Sequence, residues 1–171
     1  MINFAVILFA FVVFSLSASF LHLFHIEYFR PDLLSIFVSY FAMRRKWEEG
    51  LILSVILGSI FAVFHGVSVG LFILCAFFVF AFVRLSSLRL NLKHLHFLAG
   101  FMLPTVLVGQ LFMLSAMNLF SSVSIQWSSG VFIGVVYNSL ASMIVALPIF
   151  LFIDWLENKL KPVRSDNYLL R

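Results

Sequence analysis

The chain has 171 residues, of which 63% are hydrophobic and 11% charged, with a mean hydropathy of +1.13 and a formal net charge of +4. Soluble domains carry roughly 25% charged residues, so a soluble globular fold is excluded and one integral membrane domain is expected. The single cysteine, Cys75, lies in an apolar run, which excludes an intrachain disulfide or cysteine cluster. The basic residues flank apolar runs, the pattern of membrane loops and not of a nucleic-acid surface.

Residues 3–24 form an uncharged run of about 33 Å as a helix, long enough to cross a bilayer. No basic segment precedes it and no small-residue cleavage site follows, so it reads as a retained helix. Its late serines include Ser15 and Ser19, a short small-xxx-small pair. His22, His25, Glu27 and Arg30 then mark a loop. Pro31 suits a first helical turn, and Asp32 favours a helix N-terminus through the backbone dipole. The second helix is expected over 32–46. To Met43 it measures only about 18 Å, so a crossing requires Arg44, Arg45 and Lys46 to snorkel to the interface. A re-entrant half-helix is the competing reading.

After the polar turn Arg44–Glu49, the third helix is expected over 50–65 and the fourth over 69–83, joined by a tight turn. Arg84, Arg89 and Lys93 mark the next loop, with an interfacial amphipathic piece around residues 88–97. The fifth helix is expected over 97–119 with Pro104 inside it, and the sixth over 131–153 with Pro148. Residues 154–171 form a charged tail, and Asp154 reads as an interface residue near Lys159 and Lys161. The fold class is thus all-α, an integral membrane bundle of six transmembrane helices.

The stretch Gly50–Gly70 organises this reading. Every fourth residue is small: Gly50, Ser54, Gly58, Ala62, Gly66, Gly70. A period of four draws one ridge along a helix, and a ridge of small residues lets another helix approach closely where lipid supplies no hydrophobic drive. The sixth helix repeats the pattern at Gly130, Gly134, Asn138, Ser142 and Ala146. The two grooved helices are expected in the inner core, against each other or against a partner.

With six crossings, ten of the eleven basic residues fall on one side and only Arg30 opposite. The positive-inside rule then places both termini in the cytoplasm. No ionisable residue falls in the middle of an expected span, which argues against an ion-coupled carrier. Gln110 and Asn138 lie at equal depth and are expected to hydrogen-bond between helices five and six. His22, His25, Glu27 and His65 share the outer side but match no metal-ligand spacing. No nucleophile–base pair, phosphate loop or paired carboxylates stand out. A scaffold or binder is expected, with no enzyme activity, cofactor or metal.

Arg30-Pro31-Asp32-Leu33-Leu34 opening the second helix, followed by Gly58, Gly66 and Gly70, resembles the MreD family of rod shape-determining proteins. Length, six short spans and the late Asn138 and Pro148 agree with this more loosely. The family often carries an aspartate between the glycines, where this chain has Ala62. The resemblance implies a fold similar to the substrate-binding components of ECF vitamin transporters. It also implies a non-enzymatic part of the bacterial elongation machinery in the inner membrane. The implied partners are MreC, the MreB filament, RodA and its partner transpeptidase. The alternative is an ECF-type substrate-binding subunit, with Gln110, Asn138, Gln126 and Trp127 as candidate lining residues.

Overall fold

A computed structural model of the chain describes residues 2–24, 31–65, 68–90, 95–120 and 128–160. Among them are six α-helices and no strands: α1 (Ile2–Phe24), α2 (Leu33–Arg44), α3 (Trp47–His65), α4 (Val69–Ser87), α5 (Leu95–Phe120) and α6 (Ser129–Leu160). Of these, α3, α4, α5 and α6 are long and apolar enough to cross a membrane. Among the described residues the protein is therefore all-helical, with the four long apolar helices of a membrane protein.

The bundle is built from two antiparallel pairs. Helix α3 packs along α4 and α5 along α6, and α2 packs on α3, α4, α5 and α6. Ten consecutive residues of α2, Leu33–Ala42, are buried, so this helix has no lipid-facing side. Helix α1 lies on α3 and α6. Its Phe9 and Phe14 both meet Phe37 of α2, with ring centroids 6.0 and 5.5 Å apart. Edge-on arrangements of this kind are the favoured geometry for aromatic pairs.

Several boundaries differ from the sequence reading. Helix α3 begins at Trp47, because Glu48 and Glu49 sit in its first turn, where the dipole favours acids. Helix α4 runs on to Ser87, so Arg84 is a last-turn residue and not a loop residue. Helix α5 starts at Leu95, taking in the end of the segment read as an interfacial piece; residues 91–94 lie outside the described residues. Helix α6 continues to Leu160, because ion pairs hold its last turns: Asp154 meets Arg44 at 3.3 Å and Glu157 meets Arg45. Asp154 is thus tied to α2, where the sequence placed it among the lysines of a tail.

The largest difference concerns α2. It has twelve residues, about 18 Å of helix against a hydrocarbon core of roughly 30 Å. Contacts at both of its ends fix its height beside α6. The backbone N–H of Asp32 donates to Ser142 Oγ at 2.7 Å, and Arg44 pairs with Asp154. Twelve residues of α2 therefore run alongside twelve residues of α6. Ser142 is thirteen residues after Ser129, about 20 Å down the helix. The N-terminus of α2 stands near mid-height of α6, and its twelve helical residues are shorter than a hydrocarbon core. Arg44 and Arg45 are paired at its other end, which is what snorkelling alone would not provide.

The two small-residue ridges do not meet either. Helices α3 and α6 share no substantial packing, and α2 contacts both. Arg44, Arg45, Arg84, Asp154, Glu157 and Lys159 gather at one end of the bundle, with Arg84 donating to the carbonyl of Ala42 at 2.8 Å. We call this the charged end, and the opposite one the far end.

Candidate functional site

The site begins with the cap of α2. Asp32 is the N-cap residue, and its carboxylate accepts from the Ser35 backbone N–H at 3.0 Å and from Ser35 Oγ at 2.7 Å. A side-chain oxygen here satisfies donors that the first turn leaves open. The Asp32 N–H goes instead to Ser142 of α6, whose hydroxyl donates to the carbonyl of Asn138 at 2.6 Å. A continuous polar line thus runs from the cap of α2 to Asn138. It stands near the middle of the bundle, where the sequence reading expected no ionisable group; Asp32 is that group, and its depth follows from a contact across 110 residues.

Asp32→Ala is expected to cost about 1 kcal/mol, the usual value of a lost N-cap. Asp32→Asn should cost less, since an acceptor oxygen remains. Thermal unfolding in detergent measures both.

The ridge on α6 is used in two different ways. Its lower members, Ser142 and Ala146, are fully buried. Its upper members lie beyond the end of α2. A Cβ placed on Gly134 would meet nothing within 4 Å, and one on Gly130 only Ser128 Oγ at 3.7 Å. A surface-open cavity of about 310 Å³ occupies this level, lined by Gln110, Met113, Leu114, Val131, Gly134, Val135 and Asn138. Its walls are four apolar side chains, a bare backbone at Gly134 and two carboxamides. Gln110 and Asn138 therefore share one site, as their equal depth implied, but line a cavity and do not bond to each other.

The ridge on α3 is closed from within. The Cβ of a residue at Gly58 would stand 3.1 Å from the Phe72 carbonyl and 3.2 Å from Ala76 Cβ, both on α4. At Gly50 it would stand 2.9 Å from the Phe80 ring and 3.0 Å from the Phe41 carbonyl. Ser54 and Ala62 are buried, and Ser54 Oγ donates to the Gly50 carbonyl at 2.7 Å. Gly70 does not belong to this ridge: it lies exposed in the first turn of α4, after the chain has reversed direction. Gly66, Arg30, Gln126 and Trp127 lie outside the described residues, as do His25 and Glu27. Pro31 is half-buried beside the cap.

Two features of the charged end went unread in the sequence. Glu157 is buried against Arg45, and Arg84 donates to the Ala42 carbonyl in the last turn of α2. The three-residue spacing of Asp154 and Glu157, with no helix breaker before Pro162, was the available signal: one helical face presenting two acids to Arg44-Arg45.

The chain matches no family model, no curated protein and no solved structure.

Proposed function

We propose that the protein is a non-enzymatic membrane scaffold of the bacterial elongation machinery, of the MreD type. It holds the transmembrane helix of an MreC-like single-span partner. Contacts to MreB, RodA and its partner transpeptidase follow from that assembly. One observation carries the reading: the small-residue ridge of α6 is filled by the chain's own packing below Ser142 and open above it, at Gly134. Small residues with no neighbour are what a visiting helix needs for close approach. The closed ridge of α3 serves internal packing. In this reading the charged end faces the cytoplasm of the inner membrane, in accord with the positive-inside rule.

The test is copurification with MreC after co-expression. Gly134→Leu is expected to reduce recovered MreC about tenfold while leaving the thermal midpoint of the isolated chain in place, because the added side chain enters open space. Wild-type recovery of MreC with Gly134→Leu would remove the α6 ridge as the seat.

The cavity beside Gln110 and Asn138 favours a second reading, the substrate-binding subunit of an ECF-type vitamin transporter. Its volume stands at the lower edge of the range for small-molecule sites, roughly 300–1,000 Å³. Copurification with the energising module of such a transporter, in place of MreC, would select it.

A further inference from the structure

Helices α5 and α6 each carry a proline inside them, and the two are braced differently. Proline has no N–H for the carbonyl four residues back, and its ring crowds that carbonyl, so a helix bends there more readily than elsewhere. In α5 the residue is Pro104, and stacked rings tie α5 to α4 on both sides of it. Phe82 lies on Phe101 with centroids 5.9 Å apart, and Phe78 on Phe112 at 4.0 Å. In α6 the residue is Pro148, which is exposed.

Contacts with α2 straddle Pro148. Six residues before it, Ser142 accepts from the Asp32 N–H; six residues after it, Asp154 pairs with Arg44, and Glu157 on the next turn pairs with Arg45. The ring contact of Phe152 with Phe9 of α1 also lies on the charged side. Toward the far end α2 has stopped, and α5 is the substantial neighbour left to α6. Packing there is thin: of residues 129–138 only Val135 is buried, and the cavity opens between the two helices. A short helix thus bridges a pliable point, with a buried ion pair on one side and a neutral hydrogen bond on the other. The hydrogen bond is the easier of the two to break.

We infer that residues 129–147 form an arm that pivots on Pro148, between a position tied to α2 at Ser142 and a released one in which the cavity against α5 is wider. Helix α2 is the splint across the pivot. Release leaves Asp154 and Glu157 on their arginines, so the base of α6 stays in place. The arm carries Gly134, Val135 and Asn138, and its position sets how far the cavity stands open. The inference goes beyond both readings of function given above and needs neither. Ile133 is fifteen residues from Pro148, about 22 Å along the helix. A bend of about 20°, the size of a sharp proline kink, moves it about 8 Å.

The experiment measures spin-label distances by double electron–electron resonance on the full chain in detergent, in a Cys75→Ser background. One label pair reports the arm, Leu74→Cys on α4 with Ile133→Cys; the control pair, Leu85→Cys with Leu151→Cys, lies on the charged side of Pro148. All four positions are exposed. Wild type is expected to show one main arm distance and a minor longer one. Ser142→Ala should raise the longer population about fivefold, the worth of one hydrogen bond. Pro148→Ala, which restores the helix bond to Ile144, should abolish that population, alone and combined with Ser142→Ala. The control distance should stay single throughout. An arm distance as narrow as the control in both wild type and Ser142→Ala would overturn the inference. So would a longer population that survives Pro148→Ala, since the motion would then have another pivot. If Ser142→Ala also broadens the control pair, the comparison of Pro148→Ala with wild type decides alone.

Discussion

Gly58→Leu is expected to prevent the chain from accumulating as a folded, monodisperse species in detergent. The α3–α4 pair touches at this point through backbone. The nearest atoms to a new Cβ are the Phe72 carbonyl at 3.1 Å, Ala76 Cβ at 3.2 Å and Ile73 Cα at 3.4 Å. Two of the three are main-chain atoms of a helix and cannot rotate away. Alanine alone tightens this contact beyond the ordinary range, and a destabilisation of about 1 kcal/mol is expected for Gly58→Ala. Leucine must separate the helices. Overpacking commonly costs about 1–3 kcal/mol, and here the upper end or more is expected, because α2 packs on both members of the pair. Size-exclusion profiles and thermal midpoints of the three chains give the order wild type, alanine, leucine. An unaltered leucine variant would mean that α3 and α4 do not approach at Gly58.

Glu157→Ala is expected to destabilise by roughly 3 kcal/mol. The Glu157 side chain is 8% exposed and Arg45 is 16% exposed. Removing one member of a buried ion pair strands the other charge, at a typical cost of about 3–5 kcal/mol. The lower end applies because the pair sits at the charged end, within reach of water. The double variant Arg45→Met with Glu157→Leu should recover most of the loss, since no charge remains to be desolvated. The neighbouring pair, Arg44 with Asp154, has both side chains more than a third exposed. Asp154→Ala is therefore the control with little effect, within about 1 kcal/mol. Thermal midpoints of the variants in one detergent decide the matter. Equal losses at Asp154 and Glu157 would contradict burial as the cause.

Composition and apolar run length were enough to locate the helices, because a chain this poor in charge can satisfy its backbone in lipid only by coiling. The ridge of α3 was legible as a packing surface at Gly50, Ser54, Gly58 and Ala62, since these residues repeat within one continuous helix. The pattern broke at Gly70. A four-residue period says nothing about where one helix ends and the next begins, and Gly70 falls in α4, exposed. The depth of Asp32 was not legible at all. Locally it reads as a helix cap, which it is; that the cap stands at mid-height depends on Ser142, and no local pattern relates residues 110 apart. The same holds for Gly134. Its place in a small-residue series was visible, but whether the series is filled depends on where α2 ends. Helix lengths follow from the run of residues, whereas relative heights follow from contacts that only the folded bundle contains.

The short central helix also constrains how the chain is made. Twelve residues cannot partition into lipid by themselves, so α2 emerges from the ribosome with no stable place in the bilayer. Its neighbours α3 and α4 follow soon afterwards, but Ser142 and Glu157 are synthesised about a hundred residues later. A nascent chain arrested before Ser142 would hold α2 against α3, α4 and α5 alone, and would lack the two clasps from α6, Ser142 at the cap and the acids at the charged end.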